Sequence, residues 1–189
     1  MRLLVIAVFA CAIVLSLDVT RAAAQGRVPD AGMVAVGGSV GVSFPSDGRL
    51  NQGFDVALNV EGYLTPRVSI RGQVGGSWWD IVGQRFGGTL NPFYIDGNLV
   101  YNWEGGKVHP YVTGGVGAYR YRWSETGVAD GGKTAVGANL GGGLEFFFTR
   151  HSTGTVEVLY HAVGQVITPL LPLDKGSFWT AAAGLKHYF

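Results

Sequence analysis

The strongest constraint in this chain is a two-residue alternation of apolar and small or polar side chains, which recurs in eight stretches. Successive side chains of a β-strand point to opposite faces, so this period predicts strands with two chemically different faces. In the first stretch, MVAVGGSVGVSF, one face carries only apolar side chains, namely Val34, Val36, Val40, Val42 and Phe44. No later stretch keeps the apolar spacing of a helix, and the sequence therefore predicts an all-β protein.

The segments between the eight stretches alternate strictly between long and short. They contain 9, 3, 11, 5, 10, 6 and 10 residues in chain order. In an antiparallel up-and-down sheet, the odd-numbered connections lie at one end and the even-numbered ones at the other. The short connections are TPR, EGGKV and TRHSTG, and the long ones are PSDGRLNQG, DIVGQRFGGTL, SETGVADGGK and ITPLLPLDKG. Short turns at one end and longer loops at the other are typical of transmembrane β-barrels.

The chemistry of the two faces decides between a membrane barrel and a soluble barrel of the lipocalin type, which also alternates. A soluble barrel needs a charged exterior, but only 14% of this chain is charged, against about 25% in ordinary domains. Its less apolar face consists mainly of Gly, Ala, Ser, Thr and Asn, which suits a narrow interior. We therefore predict an eight-stranded antiparallel up-and-down transmembrane β-barrel over residues 33–189, closed because lipid cannot satisfy an open sheet edge.

The fifth stretch, HPYVTGGVGAYRYRW, has the least secure phase. Its apolar face includes Val112 and Val116, and continuing the alternation puts Arg120 and Arg122 on that same face. We expect these two arginines to lie where the strand has already left the apolar layer.

The first 24 residues have the order of a secretory signal peptide. Arg2 precedes an apolar run over residues 3–17, and Ala22 and Ala24 are the small residues before the expected cut. An uncleaved anchor is the alternative, but this run is shorter than the about 20 residues of a spanning helix. Cleavage removes Cys11, the one cysteine, and leaves equal numbers of acidic and basic residues, so nucleic acid is not an expected partner. Residues 25–32 would form a short periplasmic segment.

This pattern resembles the small outer-membrane β-barrel proteins, the group of the OmpA transmembrane domain, OmpX and the opacity proteins. The motifs HPYVTGGVGAYRY and GLKHYF carry the resemblance, which covers nearly all of the mature chain. It implies the outer membrane of a Gram-negative-type bacterium, export by the general secretory route, and assembly by periplasmic chaperones and the barrel-assembly machinery. The peptidoglycan-binding domain of full-length OmpA-type proteins does not follow the barrel, so cell-wall anchoring is not expected.

The resemblance also implies an assembly signal in the last strand. Its residues would be Trp179, Leu185, His187 and Phe189, which share one face. His187 stands where an aromatic or bulky apolar residue is usual, so the signal departs from the family pattern at that position.

Two sets of residues are candidate sites on the two faces of the barrel. The inward set is expected to be a structural network of ion pairs, because side chains fill an eight-stranded barrel and isolated buried charges are costly. Its members are Asp55, Glu61, Arg71, Asp96, Glu145, Glu157, His161 and Lys186. A proton path or selective pore is the alternative reading. The outward set is expected to form aromatic girdles at the membrane interfaces, and it comprises Phe44, Trp78, Trp103, Phe148, Trp179 and Phe189.

An enzyme is the less favoured alternative. Glu157 and His161 lie four residues apart on the inward face, but a hydrolase also needs a nucleophile beside such a pair, and no serine motif indicates one. The four histidines are scattered, unlike the ligands of a zinc site, and the glycine-rich GGVGAYR and GANLGGG precede no helix, unlike phosphate loops. We expect no enzymatic activity, no metal and no cofactor.

The expected function is a structural or surface-interaction role through four extracellular loops around a closed lumen. Outer-membrane lipid would be one partner and an unknown surface ligand another. The apolar loop residues Phe86, Leu170, Leu171 and Leu173 are candidates for contact with that ligand. A small passive pore is the first alternative, and a lipid-modifying enzyme is the second.

Overall fold

The computed structural model describes residues 29–82, 88–103, 106–125, 128–167, 172–173 and 176–189. The expected cleavage residues Ala22 and Ala24 lie outside these ranges, as do Phe86, Leu170 and Leu171. Among the described residues, no helix has the length and apolar character needed to cross a membrane. The strands are β1 (Val34–Pro45), β2 (Gly53–Tyr63), β3 (Val68–Asp80), β4 (Gly88–Asn102), β5 (Val108–Glu125), β6 (Val128–Phe147), β7 (Ser152–Val163), β8 (Val166–Ile167), β9 (Pro172–Leu173) and β10 (Phe178–Tyr188).

Eight of these strands close into a single barrel in the order β1-β10-β7-β6-β5-β4-β3-β2. All neighbouring pairs are antiparallel, and closure comes from β1 and β10, where Ala35 lies opposite Tyr188 and Phe44 lies opposite Trp179. This confirms the predicted eight-stranded antiparallel barrel. Among the described residues, the short strands β8 and β9 pair with each other, within the connection from β7 to β10.

The apolar rows of the barrel strands lie on the outer surface, as the alternation predicts. Val116, Val136 and Leu140 are 67%, 78% and 68% exposed. The less apolar rows face the lumen, where Glu61, Arg71 and other charged side chains are buried. The protein is therefore apolar outside and polar inside over most of its length, which is the arrangement that a lipid surround requires.

The hairpin of β5 and β6 is longer than the sequence indicated. SETGVADGGK was predicted to be a loop, but pairing continues to Glu125 opposite Val128, with an irregularity in register between Trp123 and Glu125. Glycine in this segment makes room for a large side chain on the paired strand and does not end the strand. A Cβ at Gly131 would collide with the ring of Trp123. Turn-forming composition was therefore a poor guide to where this hairpin ends.

Val166 is a second correction. The alternation of the seventh stretch put it on the outward face with Val156 and Val158, but β7 ends at Val163. Val166 lies beyond that end, in β8, and is fully buried in a cluster with Tyr121 and Phe178. The reason is that the two-residue alternation predicts which way a side chain points only as long as the strand continues.

Candidate functional site

An ion-pair network fills the lumen toward the end that carries the short turns. Arg71 contacts Glu61 (Nε to Oε2, 3.2 Å) and Glu157 (Nη1 to Oε2, 2.5 Å). Lys186 contacts Glu61 (Nζ to Oε2, 2.9 Å) and Glu145 (Nζ to Oε2, 3.2 Å). These residues come from β2, β3, β6, β7 and β10, so one buried network connects five of the eight barrel strands.

Hydroxyl groups complete the hydrogen bonding of these carboxylates. Ser69 donates to Glu61 at 2.5 Å, and Tyr188 donates to Glu145 Oε1 at 2.6 Å. The phenol of Tyr111 donates to Glu157 at 2.9 Å. A buried ion pair is favourable only when such extra bonds satisfy its remaining lone pairs. Each carboxylate of the network therefore has both a cationic partner and a hydroxyl partner.

The two aspartates of the predicted inward set do not join this network. Asp55 accepts hydrogen bonds from the hydroxyls of Ser77 (2.5 Å) and Tyr94 (3.2 Å). Asp96 accepts one from the side-chain amide of Asn98. Within the described part of the chain, neither aspartate forms an ion pair. The sequence placed all these residues in one inward set, whereas the structure divides them into separate groups.

His161 forms a third group, together with aromatic rings. Its Nδ1 lies 3.0 Å from the hydroxyl of Tyr119, and its Nε2 lies 3.4 Å from that of Thr180. The ring stacks on Phe178 with 4.4 Å between centroids and 10° between planes. Glu157, in contrast, bonds Arg71 and Tyr111. The histidine and the carboxylate that could have formed a catalytic pair thus belong to different hydrogen-bond networks.

An apolar and aromatic cluster occupies the lumen at the loop end, and the sequence patterns did not predict it. Trp79 lies at its centre, donates from its ring nitrogen to Ser43 at 2.8 Å, and meets Phe178 edge to face at 5.1 Å. Tyr121 packs beside Trp79 and donates to the backbone carbonyl of Gly176. The sequence signal was two pairs of adjacent aromatic residues, Trp78-Trp79 and Phe178-Trp179. In each pair one ring faces outward (Trp78 and Trp179) and the other faces the lumen (Trp79 and Phe178).

A second aromatic cluster lies inside the end with the short turns. The hydroxyls of Tyr63 and Tyr188 are 3.0 Å apart. Phe147 stacks on Tyr188 with 5.9 Å between centroids, and the ring of His109 lies 4.6 Å from Phe147. Between the two clusters is a small cavity of about 10 Å³, lined by Ser39, Asn59, Arg71, Tyr111, Thr155, Glu157, Ala182 and Lys186. That volume holds about one water molecule.

The predicted girdle residues all lie on the outer surface. Phe44, Trp78 and Trp179 are near the loop end, and Trp103, Phe148 and Phe189 are near the turn end. Further outward aromatics extend these groups, with Phe54 beside Trp78, Tyr160 beside Trp179 and Tyr101 beside Trp103. Leu185 and His187 share the outward face of β10 with Trp179, and their role in assembly stays a prediction.

The first long loop is held by local bonds. Arg49 donates from its side chain and from its backbone amide to Asp47, and the hydrogen bond from the guanidinium holds the pKa of the Asp47 carboxyl below its ordinary value. A β-bridge between Leu50 and Ile81 ties this loop to the start of the second. In the described ranges, no group of histidine, cysteine and acidic residues is arranged to hold a metal ion.

Comparison with known proteins places this architecture in a family. Residues 7–186 match the model of the outer membrane protein beta-barrel domain. Neisserial surface protein A, NspA, aligns with 84% of this chain and 99% of its own, at 16% identity and a TM-score of 0.68. OprG of Pseudomonas aeruginosa, an outer membrane protein, covers 85% of this chain and 97% of its own, at 14% identity and a TM-score of 0.62.

The attachment invasion locus protein Ail of Yersinia pestis has the same fold, with 13% identity, a TM-score of 0.60 and coverage of 84% of this chain and 99% of its own. No curated protein sequence matches the chain. At these identities the solved structures establish a shared fold. The family model spans almost the whole sequence, and this chain therefore belongs to the outer membrane protein β-barrel domain family.

Proposed function

We propose that this protein is a closed structural barrel of the outer membrane that meets other molecules through its loop end and has no chemistry of its own. The observation that carries the proposal is the filled lumen, with an ion-pair network between two aromatic clusters and a cavity of about 10 Å³. A hydrated ion needs a continuous path, and side chains occupy the lumen of an eight-stranded barrel. Closure argues against the passive pore.

The buried histidine argues against the lipid-modifying enzyme. His161 is fully buried among Tyr119, Phe178 and Thr180, so an acyl chain in the surrounding lipid has no access to it. A general base must come within hydrogen-bond reach of the proton that it removes. A packed position in the lumen does not meet that requirement.

The loop end is the surface that remains for interaction. Strands β5 and β6 are longer than the other barrel strands, so their hairpin extends furthest toward the loops. A bridge between Leu50 and Ile81 joins the first two loops. Loops positioned on a rigid scaffold are common places for binding residues. NspA is named a surface protein and Ail an attachment invasion locus protein, and by this likeness we assign the present protein a surface-interaction role.

Planar-bilayer recording tests the closed lumen. The purified protein should add no discrete conductance steps, and reproducible steps of one size would overturn the proposal in favour of the pore. Topology is tested with single cysteines, because the chain beyond residue 11 has none. A membrane-impermeant thiol reagent on intact cells should label Ser124→Cys near the tip of the hairpin and leave Thr149→Cys in a short turn unlabelled. Labelling in the opposite sense would show that the loop end is not the cell surface.

A further inference from the structure

Two arginines stand on the outer surface of the barrel, near the loop end of an outward row that is apolar toward the other end. Arg120 and Arg122 are two residues apart on β5, and both are exposed on the face that carries Val112 and Val116. Within the described part of the chain, neither is joined to an acidic side chain by an ion pair. A positive charge directed toward lipid needs an explanation, since hydrocarbon does not solvate it.

The strand register fixes the level of these arginines. Arg120 lies opposite Phe93 of β4, and Arg122 lies opposite Asn91, one step nearer the loops. In the other direction the outward residues are apolar, with Val116 67% and Val136 78% exposed. The outer surface thus changes from apolar to cationic at the level of an aromatic ring. Aromatic residues mark the membrane interface, so the two guanidinium groups lie at the level of the lipid headgroups.

A glycine on the neighbouring strand leaves room for the side chain of Arg120. Gly132 of β6 lies opposite Arg122, and a Cβ added to Gly132 would be 3.2 Å from Nε of Arg120 and 3.6 Å from its Nη2. The guanidinium of Arg120 therefore leans across the hairpin over Gly132, toward the level of Arg122. Two positive charges two residues apart on one face of a strand repel each other. A shared anion would turn this repulsion into attraction.

We propose that Arg120 and Arg122 bind the phosphate group of a membrane lipid headgroup at the loop end of the barrel. Arginine suits this ligand because its planar guanidinium forms paired hydrogen bonds to phosphate oxygens. Phe93 lies beside Arg120 in the register and provides an apolar surface for the start of the acyl chains. The site would anchor the hairpin against the membrane surface and fix how far the barrel rises from the lipid.

Native mass spectrometry of the full-length protein in detergent tests this site with bis-phosphorylated lipid A as the probe. The double variant Arg120→Gln/Arg122→Gln should bind the probe about 25-fold more weakly, or about fivefold for each single variant, because one basic residue near an anionic surface contributes about 1 kcal/mol. Arg150→Gln, an exposed arginine in a short turn at the opposite end, is the matched control and should bind as the unchanged protein does.

Three outcomes would overturn the proposal. One is equal loss of binding in the control and in the double variant, which would indicate nonspecific charge attraction. Another is unchanged binding in the double variant. A third is displacement of the lipid by low-millimolar inorganic phosphate, which would make the ligand a free ion rather than a headgroup. Since both side chains are exposed, the variants should fold, and the circular dichroism and heat-modified gel migration of each protein would verify that the barrel is intact.

Discussion

Replacing Lys186 with methionine should destabilise the barrel strongly. The ammonium group of Lys186 lies 2.9 Å from Glu61 and 3.2 Å from Glu145, and its side chain is only 3% exposed. Methionine keeps much of the apolar stem and removes the charge. Glu61 would keep Arg71 and Ser69 as partners, whereas Glu145 would lose its only cation in the described network and keep the hydroxyls of Thr153 and Tyr188.

The expected loss is about 3–5 kcal/mol in the free energy of unfolding, the usual cost of removing one partner from a buried ion pair. This is a large part of the about 5–15 kcal/mol by which folded proteins are typically stable. A second variant isolates the cause. Adding Glu145→Gln to Lys186→Met removes the negative charge that Lys186→Met leaves without its cation. The double variant should therefore lose about 0.5–3 kcal/mol less stability than the sum of the losses of the two single variants.

Urea titration of the protein folded in lipid vesicles, followed by tryptophan fluorescence, measures these free energies. Lys107→Met is the matched control, because Lys107 is exposed in a short turn, and it should change stability by less than about 0.5 kcal/mol. If Lys186→Met and Lys107→Met have equal effects, the lumen charges do not stabilise one another. The account of the lumen as a paired, structural network would then be wrong.

The aromatic clusters, the first loop and the buried histidine each give a further prediction. Trp79→Ala should lower the free energy of unfolding by about 3–5 kcal/mol without adding conductance, since the ion-pair network and the turn-end cluster still occupy the lumen. The carboxyl of Asp47 should titrate below its ordinary pKa of 3.8, so its bonds to Arg49 persist above pH 3.8 and are lost as the pH falls through the lowered value, as NMR titration would show. His161→Ala should leave the lipid A acyl profile of cells unchanged, as read by mass spectrometry, because the ring is packed inside the lumen.

Each of these three predictions has a result that contradicts it. Conductance in Trp79→Ala would mean that the ion-pair network and the turn-end cluster do not close the lumen. An unshifted Asp47 titration, or one that Arg49→Ala leaves unchanged, would mean that the hydrogen bonds in the loop do not persist in solution. An acyl pattern that depends on the protein and disappears in His161→Ala would revive the enzyme.

The sequence by itself determined the number of barrel strands, the two faces of each strand and which face meets lipid. The reason is that these properties are local: a period of two assigns every side chain to one face without reference to any other strand. The outward rows from Val34 to Phe44 and the burial of Asp55, Glu61 and Arg71 follow from that phase alone. Alternating connection lengths added the up-and-down order, because each connection belongs to one end of an antiparallel sheet.

Only the tertiary structure decided which inward side chains meet. Glu61 and Lys186 are 125 residues apart in the chain, and their contact depends on the stagger of the strands when the barrel closes, which no local pattern encodes. The same stagger separates Glu157 from His161, despite their closeness in sequence, and gathers Trp79, Tyr121 and Phe178 into one cluster. Local alternation can assign a residue to the lumen, but its contact partners there are determined only when the barrel closes.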